Sequence, residues 1–447
     1  MLSPLSSPRL RRIIAAYTVN RLGTWVGLVA LSLAVFDHTH SALAVAALLF
    51  AWQAVPAFLV PVVVARVEAS ARRSELSALY VFEAVATAAL AALLWHFWLP
   101  AVLVLAALDG TAALSASALL RTEVAKAARD QVEAQPAEEA RPGDNNEDRA
   151  QEAERKANAA LNVAFSVSFV AGPVLGGAVV AAAGAPAALF IDTASFLICG
   201  AMLIDLHPHV EEAGDGSVRA RLRAAWRHIN ETPSLRALLL VEAVALVFSE
   251  SAGPVEVAYA KATLHAGDRG FGLLLATWGA GAVLGSLIFA RSLRRPLGAM
   301  LSAGTLAAGL AYVGFAAAPS LAIACLAALV GGIGNGMEVP SLNSIVQRVT
   351  PQHLHGRLMG AVESLVAVCI AIGLPLGGAL VVLSSPRGAF LVLGLVTAAA
   401  SVGLLYVSPK KLESIGADQA ENSMLNSETF APMSTPAKTY VSQSSTE

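Results

Sequence analysis

The sequence NAALNVAFSVSFVAGPVLGGAVVAAAGAPAAL, at residues 158–189, decides the fold. It is apolar over more than the roughly 20 residues that a helix needs to cross a bilayer. Gly172, Pro173, Gly176 and Gly177 stand in its middle. These residues destabilise a long helix in water, whereas inside a membrane the neighbouring helices satisfy the backbone groups that they free. The stretch therefore predicts a helix that lies in a membrane.

A closely related sequence returns about two hundred residues later, where Gly373, Pro375, Gly377 and Gly378 repeat the same pattern inside another apolar run. A second pair of matching segments, each ending in arginines, comprises PVVVARVEASARR at 61–73 and GSLIFARSLRR at 285–295. The near-constant offset indicates two copies of one unit. If each copy holds six spans, both copies have the same orientation, as expected for a parallel repeat.

The composition agrees with a membrane protein. Of the 447 residues 56% are hydrophobic and 14% are charged, and the mean hydropathy is +0.63. The net charge of -2 gives no indication of nucleic-acid binding. Cys199, Cys325 and Cys369 all fall in apolar runs, where we expect them to pack as small apolar side chains. The first apolar run has full spanning length, so it predicts an uncleaved first helix.

Twelve segments reach spanning length and predict an all-α polytopic membrane protein with two pseudo-symmetric six-helix bundles. They are residues 13–36, 41–64, 76–97, 99–120, 158–183, 185–206, 235–259, 270–289, 297–317, 321–346, 358–383 and 389–407. Four parts of the chain follow from these spans. They are an N-terminal bundle at 1–206 with a loop at 121–157, a linker at 207–234, a C-terminal bundle at 235–408 and a disordered tail at 409–447.

The links between the spans alternate in charge. Cationic residues gather in every second link, while the intervening links are short and poor in lysine and arginine. By the positive-inside rule this places both termini and the two long loops in the cytoplasm of a cell-membrane protein. The 121–157 loop carries an acidic run with Pro and Gly, which predicts a mobile connector with helical ends. In the linker, residues 218–230 separate apolar from cationic side chains, which predicts a helix lying at the membrane surface.

These motifs resemble the major facilitator superfamily over essentially the whole chain. The first cationic link resembles that family's Gly-x-x-x-Asp-Arg-x-x-x-Arg-Arg motif, with Pro61 at the glycine and Ala65 at the aspartate. The family assigns this motif to the cytoplasmic gate, and the missing aspartate puts its charge network in doubt. The gate residues that the resemblance implies are Arg66, Arg72 and Arg73, with Gly285, Arg291, Arg294 and Arg295 in the second copy.

The glycine motif is similar to the antiporter motif of proton-coupled drug exporters, with Ser168 where a glycine is usual. Residues 158–197 further resemble the enterobactin-exporter-like branch. Physically, glycines permit close helix contact, and Pro173 bends a helix where a hydrogen bond is lost. Such a bend can close one end of a central cavity while the other end opens. The alternative is that Gly and Pro are simply common in membrane helices, but the duplicated spacing argues against it.

Charged residues inside spans are costly and are therefore functional candidates. We rank Asp109 and Glu250 first as carriers of protons or substrate, with Glu83 and Arg21 next. The structural alternative for each acid is pairing with an arginine or capping of a broken helix. Glu250 comes a turn before Gly253-Pro254, which we expect to break the seventh helix. Further acids in the spans are Asp192, which we expect to be structural, and Glu242, Glu338 and Glu363. Aromatic residues that can line a drug cavity are Trp25, Trp52, Phe248, Phe271 and Trp278.

The sequence thus predicts a monomeric secondary transporter that exports small amphipathic molecules in exchange for protons. A proton-coupled importer of a polar solute is an alternative, and it requires complementary charges in one pocket. A non-transporting sensor of the same fold is another. A membrane enzyme is disfavoured because no phosphate loop, metalloprotease motif or nucleophile set occurs. The expected partners are substrate, protons and lipid, with no nucleic acid, cofactor or metal; His207 and His209 with their neighbouring acids favour a solvated linker over a metal site.

Overall fold

The computed structural model describes residues 7–60, 75–133, 146–204, 226–292, 295–350 and 355–407. These residues form helices joined by short turns, with no strand among them. The helices are α1 (Pro8–Thr39), α2 (Ala42–Val60), α3 (Glu75–Leu93), α4 (Leu99–Glu133), α5 (146–183), α6 (185–202), α7 (Pro233–Thr263), α8 (Gly267–Arg291), α9 (Leu297–Ala317), α10 (Leu321–Val349), α11 (His355–Leu383) and α12 (Pro386–Tyr406).

The helix ends follow from local sequence. Ser7, Ser41 and Ser385 precede their helices and accept hydrogen bonds from the first backbone amides of α1, α2 and α12, which satisfies donors that have no partner within the helix. By length and apolar composition, eleven continuous helices of the described chain can cross a membrane. One of them breaks at Gly184, whose φ of 84° leaves the helical region, and therefore supplies both α5 and α6. The prediction of twelve apolar helices is confirmed.

The 121–157 connector has the helical ends that the sequence predicts, and these ends are long. Helix α4 continues to Glu133 and α5 begins at Asn146, so only 134–145 lies outside the described residues. The length of these helical ends has its reason in packing, because they bury apolar residues of α4 and α5 against the start of α1. Arg9 also donates hydrogen bonds to Asp130 (3.0 Å) and Glu123 (3.3 Å). Of the predicted surface helix, residues 218–225 lie outside the described chain, as do the histidine pair and the tail.

Two helices depart from regular α geometry. Helix α2 contains a π-helical turn at Phe50–Ala54, and α7 ends in another at Tyr259–Thr263. The expectation that Gly253-Pro254 breaks α7 is wrong. The α-helical pattern is interrupted only at Ser251, which retains helical dihedral angles, and continues through Ala252–Ala258. Proline is tolerated near the start of this segment, where its missing amide is least needed.

The buried cores show how the two halves meet. We call the end of the bundle at which α1 begins the amino-terminal face, and the other end the opposite face. At the amino-terminal face, the first half has its own core and the second half has separate ones. Toward the opposite face, a single core contains residues from both halves, including Val29, Leu49, Val255, Phe271 and Leu374. Among the described residues, the halves therefore share a core toward the opposite face and have separate cores at the amino-terminal face.

Candidate functional site

The glycines of α5 lie at two helix contacts. A Cβ added to Gly172 or Gly176 would collide with Trp25 or Val26 of α1, within the same half. A Cβ on Gly177 would lie 2.6 Å from the carbonyl oxygen of Asp268 at the start of α8, in the other half. Only glycine permits this backbone approach. Helix α5 is thus packed tightly against both halves at once.

The glycines of α11 make the corresponding contacts. A Cβ on Gly373 would lie 2.5 Å from the Val247 carbonyl oxygen of α7. A Cβ on Gly377 would collide with the Ser251 carbonyl oxygen, one turn further along α7. A Cβ on Gly378 would lie 3.0 Å from Leu43 Cα of α2, across the interface between the halves. Thus α5 contacts α1 and α8, and α11 contacts α7 and α2. The two motifs occupy equivalent places, and the duplication inferred from the sequence is present in the packing.

An ion-paired lysine closes the opposite face. Lys261, at the end of α7, lies 2.6 Å from a carboxylate oxygen of Asp268 and 2.6 Å from one of Asp37 at the end of α1. The pair with Asp37 joins the two halves, directly beside the contact between Gly177 and α8. Sequence reasoning placed Lys261 in a short external link and gave it no role. Asp37 is 224 residues away from Lys261 in the sequence, and Asp268 is 7 residues away. Only the nearby Asp268 could have indicated an ion pair from the sequence.

Two adjoining cavities lie between the halves. The larger, of about 520 Å³, is formed by α1, α2, α4 and α11 and is lined by Arg21, Trp52 and Glu363 among others. The second, of about 330 Å³, is formed by α1, α2, α7 and α8 and shares Arg21 and Trp52 with the first. Trp25, Phe271 and Glu256 also line it. The predicted aromatic lining is therefore found for Trp25, Trp52 and Phe271.

Glu256 is a cavity residue that sequence reasoning missed. Its side chain is half-buried, and no hydrogen bond or ion pair reaches its carboxyl group from the described part of the chain. A signal was present, because a carboxylate two residues after Pro254 lies inside the predicted seventh span. Arg21 shares this cavity, and its guanidinium donates a 2.8 Å hydrogen bond to Ser117. The lining therefore carries both signs of charge.

Asp109 lies behind Trp52 in the interior of the first half. Its Oδ2 accepts a 3.1 Å hydrogen bond from Trp52 Nε1, and its Oδ1 accepts a 3.0 Å hydrogen bond from Thr87. Within the described part of the chain it pairs with no arginine and caps no helix. Glu83 is buried nearby with 1% of its surface exposed, and its Oε1 has no hydrogen-bond partner.

The remaining acidic candidates are dispersed. Asp192 is buried against α1, where a Cβ on Gly27 would meet its carboxyl group, and it accepts a 3.3 Å hydrogen bond from Ser195. Glu250 is half-buried where α7 meets α11, with its Cβ against Gly373. Glu242 and Glu338 interact with each other inside the second half. The structure thus brings together Asp109, Asp192 and Glu83, and leaves Glu250 apart.

The implied gate residues are only partly described. Arg66, Arg72, Arg73 and Arg294 lie outside the described residues. Arg291 ends α8 and Arg295 follows it, while Gly285 lies where an added Cβ would collide with the Ile333 carbonyl oxygen of α10. Gly285 thus permits close packing of α8 against α10. Among the described residues no group of three or more His, Cys, Asp or Glu side chains is arranged to hold a metal ion.

These features define a multi-pass membrane protein with two related helix bundles and cavities between them. Residues 238–438 match the model of the Major Facilitator Superfamily. The nucleoside transporter NupG has the same fold, with a TM-score of 0.70 and 11% identity over 90% of this chain and 99% of NupG. A bacterial homologue of the iron transporter ferroportin, in an inward-facing state, has a TM-score of 0.67 and 16% identity over 90% and 98%. The family model thus matches 201 of the 447 residues, in the second half of the chain, and these solved structures share its fold over nine-tenths of its length.

Curated relatives include the multidrug efflux pump Tap of two mycobacteria. The protein from Mycobacterium tuberculosis is 27% identical over 252 residues, or 54% of this chain and 58% of its own length. That from Mycolicibacterium fortuitum is 26% identical over 259 residues, or 54% and 60%. The chain therefore aligns with somewhat more than half the length of these relatives.

Proposed function

We propose that this protein is a secondary transporter that exports small amphipathic molecules by proton-coupled alternating access. The observation that carries the proposal is a cavity between two equivalent bundles that are separated at one face and locked together at the other. A cavity that reaches only one side is what alternating access requires of each of its states. The likeness to pumps named for multidrug efflux supports export.

The amino-terminal face is assigned to the cytoplasm. Arginines gather at this face in the first helix and at the end of α8, whereas the opposite face has few cations. The positive-inside rule then gives cytoplasmic termini in the cell membrane. With this orientation, the described conformation is open inward and ready to load a cytoplasmic substrate.

The cavity lining favours an amphipathic substrate. Trp25, Trp52 and Phe271 supply large apolar surfaces that adapt to differently shaped molecules, and such rings also attract cations. Glu256 offers an anchoring charge without a protein partner. A broad aromatic pocket with few fixed polar groups binds a class of compounds more readily than a single one.

Asp109 and Glu250 are proposed as the coupling carboxyl groups. Asp109 adjoins the cavity through Trp52, and Glu250 lies where α7 packs on the glycine motif of α11. We expect Asp109→Asn to reduce proton-driven ethidium efflux by about tenfold, since a loss of about 1.4 kcal/mol gives that factor. Glu250→Gln is expected to act in the same direction. Efflux is measured in cells lacking their own exporters, with and without a protonophore.

Glu231→Gln is the matched control, because Glu231 is an exposed acid at the amino-terminal face whose ion-pair partner among the described residues is Arg227, 3.8 Å away. It is expected to leave the efflux rate unchanged. Wild-type rates and wild-type pH dependence in both Asp109→Asn and Glu250→Gln would refute the coupling assignment. Protonophore-insensitive efflux would refute proton coupling itself.

Charges of both signs in the adjoining cavities favour a second candidate, import of a polar solute. Arg21, Glu256 and Glu363 would together recognise a molecule with opposite charges. The direction of net flux in proteoliposomes under an imposed proton gradient distinguishes importer from exporter. The absence of any flux would favour the sensor interpretation.

A further inference from the structure

Trp52 forms part of the wall between the cavities and the interior of the first half. It belongs to the π-helical turn Phe50–Ala54 of α2, and such turns are frequent at functional sites. Trp52 lines both cavities, and its Nε1 points away from them to Asp109. Its carbonyl oxygen lies so close to Gly110 of α4 that a Cβ there would collide with it. The backbone of Trp52 is therefore held in place, and the freedom that remains is that of its side chain.

A small cavity with a few polar groups in its lining lies behind Trp52. It measures about 20 Å³ and is lined by Asp109, Asp192, Thr24, Thr87 and Trp52, among others. This volume suffices for one water molecule, which needs two to four polar partners of the kind present here. Trp52 thus separates two spaces. On one side is the water-sized cavity with the carboxyl groups of Asp109 and Asp192, and on the other side are the central cavities.

The hydrogen bonds of Asp109 depend on its protonation state. As a carboxylate, it accepts one bond at each oxygen, from Trp52 and from Thr87. The Thr87 hydroxyl can reverse its role and accept, but the indole N–H can only donate. A proton on Oδ2 therefore leaves Trp52 only the weak acceptor capacity of a hydroxyl oxygen, and a proton on Oδ1 leaves a neutral bond about half as strong. Protonation loosens Trp52 in either case.

Other charged and titratable groups face this site from three helices. Glu83 comes from α3 with Tyr80 beside it, Asp192 comes from α6 near Cys199, and Arg21 comes from α1 near Tyr17. The three acids repel one another when ionised, and Arg21 offsets this only in part. None of these groups contacts Trp52 Nε1, whose hydrogen bond goes to Asp109. The connection between the acidic cluster and the cavity therefore passes through Trp52.

We propose that Trp52 transmits the protonation state of Asp109 to the substrate cavity, an inference that rests on the proposed transport function. The carboxylate holds the indole back against α4 and keeps the cavity available for substrate. When a proton binds to Asp109, the indole is released into the cavity and competes with substrate. Because such coupling is reciprocal, bound substrate that holds Trp52 back also disfavours the proton. This is the mutual exclusion that antiport needs.

The first test needs no substrate. The full-length protein is labelled with 5-fluorotryptophan, and its fluorine resonances are followed as the pH is lowered. Trp52→Phe identifies the Trp52 resonance, and Trp98→Phe, at an exposed position of the opposite face, is the matched control. We expect the Trp52 resonance to shift with pH in the otherwise unchanged protein and to stay fixed in Asp109→Asn. A Trp52 resonance that is independent of pH, or that shifts equally in Asp109→Asn, would overturn the proposal.

The second test uses ethidium as the probe, with the purified protein in nanodiscs. Apparent affinity for ethidium is expected to fall about fivefold as the pH is lowered, the size of a coupling of about 1 kcal/mol. Trp52→Phe should abolish this dependence, because phenylalanine keeps an aromatic surface but has no N–H group. Trp98→Phe should retain it. Unchanged pH dependence in Trp52→Phe would overturn the proposal, whereas wild-type protein that never exports ethidium would contradict only the proposed function.

Discussion

At the residue scale, the acids within the membrane differ in their surroundings rather than in their chemistry. Asp109 has a hydrogen-bond donor for each oxygen, Glu242 and Glu338 face one another, and Glu256 faces a cavity without a partner. An isolated carboxylate in a partly dry cavity gains most from a bound cation, since its charge is not yet compensated. Glu256 is therefore the residue at which substrate charge should matter most.

Glu256→Gln is expected to weaken ethidium binding about tenfold, because a hydrogen bond or ion pair to a charged group contributes roughly 1.5 kcal/mol. Binding of a neutral amphipathic dye should change little, since glutamine keeps the volume of the side chain. Both affinities can be measured by fluorescence polarisation of the purified protein. An equal loss for the cationic and the neutral probe would indicate a change of cavity shape and contradict the charge argument.

At the element scale, the glycines of α5 and α11 decide which helices meet. Residues Gly177 and Gly378 each hold a neighbouring helix of the other half at backbone distance. The helix side that carries Gly177 or Gly378 contacts the other bundle. Gly172 and Gly373 instead pack against helices of their own bundle. Each motif therefore combines a close contact within its own half with a close contact between the halves.

Gly177→Val is expected to destabilise the described conformation by about 1–3 kcal/mol, because the added atoms would overlap the α8 backbone. The melting temperature of the purified protein should fall accordingly. Gly360→Ala in α11 is the control, since nothing lies within 4 Å of the position of its added Cβ; it should be neutral or slightly stabilising. If Gly177→Val has the same melting temperature as Gly360→Ala, the contact between Gly177 and α8 is not tight.

At the scale of the whole molecule, the two halves share one core toward the opposite face and have separate cores at the amino-terminal face. The ion pairs of Lys261 add to the shared side, where the Lys261 side chain is 18% exposed. A partly buried network of this kind favours the closed opposite face more than a fully exposed pair would. The balance between inward-open and outward-open states should respond to it.

Lys261→Met is expected to raise the outward-open population by roughly fivefold, corresponding to about 1 kcal/mol for the lost ion pairs. Distances between spin labels on the two halves at the opposite face, measured by double electron–electron resonance, report this population. Glu231→Gln removes an exposed pair at the amino-terminal face and serves as the control. If both variants give the wild-type distance distribution, the Lys261 pairs do not hold this face closed.

Sequence alone determined the twelve spans and their duplication, because a helix in lipid must satisfy its own backbone and so reveals itself in local composition. It also identified Asp109 and Arg21 as costly charges within the membrane. Only the tertiary structure decided which acids share a site, that Glu256 faces a cavity, and that Trp52 and Lys261 have their particular partners. Those facts depend on the rotation of each helix about its axis and on pairs 57 and 224 residues apart, which local patterns do not encode.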